Sequence, residues 1–157
     1  MRLATVRLNN EEQTVIIRND EVVLLRHLNE RLNKEYPLSL LPLIETDLLQ
    51  SLKRDCASLQ QEDWDAVQKF SLDEVHFVAP YRNPTHIFGV GMNYVEKAQD
   101  LQATPVDHAP VCFLKPATSL IGMNESIVLP RVSKRVTAEG ELSLIIGKRC
   151  FEVSEEE

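Results

Sequence analysis

Glu139 and Glu141 stand two residues apart at the head of the run Glu141-Leu142-Ser143-Leu144-Ile145-Ile146-Gly147-Lys148. Leu142, Leu144 and Ile146 recur at a period of two, which predicts a strand over residues 141–146 with Glu139, Glu141 and Ser143 on its other face. Two carboxylates held side by side raise each other's pKa unless a cation lies between them. Hard divalent cations take such oxygen ligands. On spacing alone, a solvated strand edge with two surface acids is the plainer reading. A second chemistry-bearing residue is Lys115, which closes the apolar run 111–114 just before Pro116. A lysine at a strand end can hold the carboxylate of a small acid as a compact cation. It can also lay its stem along apolar surface and leave its charge in water.

The elements that must position these residues follow from periodicity. Residues 4–7, 14–18 and 22–25 are β-rich runs, with Asn9-Asn10 and Asn19-Asp20 as turns between them. Leu25, Leu28 and Leu32 then recur at helical spacing and stop before Pro37. Residues 39–59 carry a second helical stripe, with Pro42 in its first turn, and residues 62–70 a short third one. Residues 75–78 read as a strand, with His76 as a hydrogen-bonded structural histidine. Residues 80–86 connect to a second region. There, residues 87–91 read as a strand running into a glycine turn, and 93–101 as a short helix in which Asn93 and Glu96 fit a capping pair. The Gly89-x-Gly91 pair lacks the third glycine of a dinucleotide fingerprint.

Composition narrows the function. The 157 residues are 43% hydrophobic, enough for a core, and carry a formal charge of −7. That charge argues against non-specific nucleic-acid or anionic-membrane binding. No apolar run reaches membrane-spanning length, and the first residues do not read as a signal peptide. Cys56, Cys112 and Cys150 are odd in number and widely spaced, the pattern of free thiols in a reducing cytoplasm. The basic run 131–135 reads as a solvated loop that can attract anions.

Four ordered stretches carry a resemblance. They are Phe88-Gly89-Val90-Gly91-Met92-Asn93-Tyr94, then Val111-Cys112-Phe113-Leu114-Lys115-Pro116-Ala117-Thr118-Ser119, then Ile127-Val128-Leu129-Pro130, and finally the Glu-x-Glu-Leu strand ending in Ile145-Ile146-Gly147-Lys148. In order and spacing they resemble the fumarylacetoacetate hydrolase family from about residue 87 onward. The resemblance implies an α+β fold: a small N-terminal α+β domain, residues 1–79, followed by the first part of a mixed β-roll catalytic domain, residues 80–157. It implies metal-dependent chemistry on small 2-oxo or 1,3-dicarbonyl acids, by C–C bond hydrolysis, decarboxylation or isomerisation. Glu139 and Glu141 would be ligands of a divalent cation, Mg²⁺ or Mn²⁺, with Ca²⁺ a further option. Lys115, Thr118 and Ser119 would contact the substrate, and a homodimer would be the assembly.

The same resemblance marks departures. Where hydrolases of the family carry a histidine and a glutamate as a water-activating dyad, this chain has Lys97 and Asp100. A lysine is protonated at neutral pH and is a poor general base, and an exposed helical i,i+3 ion pair is the plainer reading of Lys97 and Asp100. The family's third metal-ligating aspartate would fall beyond residue 157. Ser154-Glu155-Glu156-Glu157 reads as a capped helix start. The expectation is therefore a chain truncated within the catalytic domain. The alternative is a non-catalytic remnant or pseudoenzyme that acts as a binding or interaction protein.

Overall fold

The computed structural model describes residues 1–91, 111–154 and 156. By its contacts the chain forms two compact units, Met1–Tyr81 with Ile121–Glu157, and Arg82–Leu120. The fold is α+β.

In the first unit, β1 (Arg2–Leu8), β2 (Glu11–Arg18) and β3 (Glu21–Leu24) form an antiparallel meander. β4 (Lys69–Ser71) adds to β3 and β5 (His76–Phe77) to β1, giving the order β4-β3-β2-β1-β5. Both meander turns need left-handed backbone, at Asn9, Asn10 and Asn19 (φ 51°, 65° and 55°). Asparagine tolerates that region better than most residues because its short side chain can bond locally.

Alternation along the strands sends apolar side chains to both faces. Val6, Val15, Val22 and Leu24 are buried on one face. Ile16 and Val23 join Leu25, Leu28, Leu43, Leu52 and Trp64 in the larger cluster. The helices α1 (Leu25–Leu32), α2 (Leu40–Glu45), α3 (Leu49–Ser58) and α4 (Gln61–Asp65) supply that second layer. Asn29 secures the α1–α2 connection: its side-chain amide donates to the Tyr36 carbonyl at 2.8 Å, and its side-chain oxygen accepts from the Tyr36 N–H at 3.1 Å.

Two expectations from periodicity are corrected here. The single helix over 39–59 is two, α2 and α3, because Asp47 adopts a left-handed conformation (φ 56°) and the Thr46 N–H and hydroxyl both turn back to the Pro42 carbonyl. The helix over 62–70 ends at Asp65, and Lys69–Ser71 pairs with β3 instead (Val22↔Phe70). A helical stripe does not register a partner strand, and ladder pairing prevails. His76, expected as a hydrogen-bonded structural histidine, is exposed on β5.

Tyr36 donates its hydroxyl to Asp55 at 2.7 Å, and Lys34 lies 3.6 Å from the same carboxylate. Burial first, and then the Asp55 carboxylate, push Tyr36 up to about 12 and Cys56 up to about 11. Raised values favour the neutral forms in the folded chain. Their contribution to stability is thus full below the ordinary values of 9.0 for the thiol and 10.0 for the phenol. It is lost as pH rises through the folded values. The raised value keeps Cys56 as the thiol at pH 8, and the thiolate is the nucleophile. Cys112 and Cys150 are exposed. A thiol reagent at pH 8 should therefore modify two cysteines of the native chain promptly, and the partly buried Cys56 more slowly. Three fast thiols would contradict this packing.

Among the described residues no helix is long and apolar enough to cross a membrane. The strand expected over 141–146 is absent: residues 135–147 have no regular structure, and Leu142, Leu144 and Ile146 are 87%, 82% and 73% exposed. Alternation marks which side chains would share a face, but a strand exists only against a ladder partner, and among the described residues none pairs with this segment.

Candidate functional site

The second unit is built on one ribbon. β6 (Ile87–Gly91) and β7 (Val111–Lys115) pair antiparallel, with Ile87↔Lys115, Phe88↔Leu114 and Gly89↔Phe113 as opposed residues. The ladder fixes Lys115 at the end of the ribbon, where Pro116 cannot donate to a further pair. A cleft of about 340 Å³ opens there, lined among others by Pro84, His86, Ile87, Leu114, Lys115 and Pro116. Lys115 is exposed, and its ammonium lies 5.7 Å from the centroid of the Phe113 ring.

A cation at the mouth of a mostly apolar cleft suits a small acid, with the charge taking the carboxylate and the walls taking the carbon skeleton. His86 also lines this cleft, stacked on Phe88 with ring centroids 5.9 Å apart. It was not singled out from the sequence. Its spacing two residues before Phe88, at the head of a strand, is the signal that places both rings on one face.

After Lys115 the chain turns through a 3₁₀ segment, Ala117–Ser119. The Ser119 hydroxyl donates to the Pro116 carbonyl at 2.7 Å, and the Ser119 N–H donates to the same oxygen at 2.9 Å. That hydroxyl closes the turn, and the lining of the cleft ends at Ala117. Thr118 is exposed on the same turn.

Glu139 and Glu141 are exposed in the irregular segment of the first unit. Their oxygen chemistry suits a hard divalent cation. Among the described residues, however, no group of three His, Cys, Asp or Glu side chains is brought together. The described residues therefore do not close a metal site, and no chemical step is routed through one. Lys97 and Asp100, the dyad positions, lie outside the described residues.

Residues 86–157 match the family model described as Fumarylacetoacetate (FAA) hydrolase C-terminal. An uncharacterized protein of Archaeoglobus fulgidus is 42% identical over 84 residues, which are 54% of this chain and 33% of that protein. Human mitochondrial oxaloacetate tautomerase FAHD2A is 42% identical over 76 residues, 48% of this chain and 24% of that enzyme. The chain thus spans a third or less of the length of these relatives. Among solved structures, a putative HpcE protein from Mycobacterium smegmatis aligns over 81% of this chain and 40% of its own, with a TM-score of 0.53 and 20% identity. That likeness bears on the fold alone.

Proposed function

We propose that this chain, whose residues 86–157 match the fumarylacetoacetate hydrolase C-terminal family model, is a member of that family and acts on small 2-oxo or 1,3-dicarbonyl acids. The observation that carries the reading is Lys115 at the end of the β6–β7 ribbon, lining a cleft of about 340 Å³ with ample room for a small acid. Its ammonium takes the substrate carboxylate. An enolate carries one more negative charge than the keto form, so the same cation favours enolisation. Among the reactions of such acids we favour tautomerisation and decarboxylation over C–C hydrolysis. Hydrolysis needs a base to activate water, and Lys97 stands at the sequence position of that base, with Asp100 three residues on. The name of the human relative, an oxaloacetate tautomerase, supports the same choice.

Thr118 supplies a hydroxyl near the substrate in this reading, while Ser119 serves mainly to shape the turn. Glu139 and Glu141 are the proposed donors to a divalent cation, Mg²⁺ or Mn²⁺. Residues 1–79 are the proposed N-terminal domain, and residues 80–157 belong to the proposed catalytic one. A homodimer in the cytoplasm is the proposed setting.

A second reading is a binding protein without catalysis. The observation that favours it is the sequence itself, which has Lys97 and Asp100 where hydrolases of the family carry a histidine and a glutamate. One experiment separates the two. The conversion of enol to keto oxaloacetate is followed with the full chain and with Lys115→Met, alongside oxalate binding by calorimetry. The tautomerase reading expects acceleration that falls roughly tenfold or more in the variant, the size of a lost charge-assisted contact. Oxalate binding without acceleration selects the binding protein, and neither activity nor binding overturns both.

A further inference from the structure

Within the β6–β7 ribbon one backbone position is unusual. Gly89 is buried although its neighbours Phe88 and Val90 are exposed. The cover is the ring of its cross-strand partner: a Cβ built on Gly89 would fall within 3.0 Å of three Phe113 ring atoms. The ring lies on the strand where a side chain would otherwise stand, an aromatic covering a cross-strand glycine. Lys115, two residues on and therefore on the same face, places its ammonium 5.7 Å from the centroid of that ring.

We propose that Phe113 is a positioning residue: seated on Gly89, its ring holds the Lys115 ammonium at the cleft. The proposal rests on the reading of Lys115 as the carboxylate contact. A lysine carries four rotatable carbons, and an exposed one samples many rotamers. A ring quadrupole beneath the ammonium narrows those rotamers. The charge then meets an incoming carboxylate with less ordering still to be done. Gly89 enters as the residue that lets the ring lie flat. Any Cβ there must push the ring aside, and the ring, being a side chain, can yield without breaking the ladder. The three residues form one unit: glycine seats the ring, the ring holds the ammonium, and the ammonium receives the acid.

The test uses the full chain with oxalate as the probe. In the unaltered protein, NMR should show the Lys115 ε-methylene protons shifted upfield by the ring current of Phe113. Absence of that shift overturns the proposal with no mutation made. Phe113→Leu should remove the shift and weaken oxalate binding by about two- to five-fold, the fold-change that an exposed cation–π contact corresponds to. Gly89→Ala should do the same with Phe113 intact, and Phe113→Tyr should restore both the shift and the affinity. If Phe113 served packing alone, oxalate affinity would not follow the lysine shift across the Phe113→Leu, Phe113→Tyr and Gly89→Ala variants, so their parallel change separates positioning from packing. Lys115→Met distinguishes the two levels of the argument. If it leaves oxalate affinity unchanged, the assignment of Lys115 itself fails. If it weakens binding while Phe113→Leu and Gly89→Ala do not, only the positioning role is overturned.

Discussion

Exchanging Lys97→His together with Asp100→Glu should raise the ratio of acylpyruvate hydrolysis to oxaloacetate tautomerisation by about 10² to 10⁴. That is the range that general-base assistance supplies. The two reactions make different demands. Cleaving a C–C bond by water requires a base that removes a proton from the attacking water. Enol–keto exchange requires charge stabilisation at the enolate and only a proton shuttle. A protonated lysine can supply the second and not the first, unless desolvation depresses its pKa by several units. A histidine titrates near neutrality, and a carboxylate one turn along the proposed helix can orient it. Assays with Mn²⁺ on the parent chain and the double variant would measure the ratio. An unchanged ratio would remove Lys97 and Asp100 from the dyad positions. Strong hydrolysis by the parent would overturn both that assignment and the preference for tautomerisation.

The second large effect concerns the scaffold. Leu43→Ala should lower the stability of the first unit by about 2–5 kcal/mol, the transfer and cavity cost of a buried leucine. Leu43 is fully buried, in one cluster with Ile16, Leu28, Leu52 and Trp64. Leu38→Ala is the control, because Leu38 is 52% exposed and surface truncations usually stay within about 0.5 kcal/mol. Trp64, the only tryptophan of the chain, is buried in the same cluster and reports the transition by fluorescence in urea. Equal midpoints for the two variants would mean that the α2 layer is not packed on the sheet as described. A loss of 2–5 kcal/mol is a large part of the roughly 5–15 kcal/mol that a domain has.

What could be read from the sequence divides along physical lines. The meander was legible because its signals are local: alternating runs at β1, β2 and β3, with Asn-Asn and Asn-Asp at the two turns. The α1 stripe of Leu25, Leu28 and Leu32 was legible for the same reason, and so was the pairing-competent run that became β7. β4 and the break at Asp47 were not. Lys69–Ser71 becomes a strand only because β3 offers an open edge, and a left-handed aspartate leaves no trace in hydrophobic spacing. At the candidate site, Lys115 was legible by type and position. The seating of Phe113 on Gly89 was not, since it depends on cross-strand register. The strand expected over 141–146 shows the converse: a period-2 pattern specifies faces, and pairing needs a partner that the pattern does not name.

The turns of the first unit carry one more consequence. Asn9, Asn10, Asn19, Asn33 and Asp47 all adopt positive φ, while the first glycine of the chain is Gly89. Glycine would enter the left-handed region at less cost, but it would also widen the range of conformations open to the unfolded chain. By closing its reversals with asparagine and aspartate, the segment of residues 1–81 accepts a little local torsional energy and keeps its denatured ensemble narrower. Part of its stability is therefore invisible in any contact of the native structure and resides in the states it avoids when unfolded.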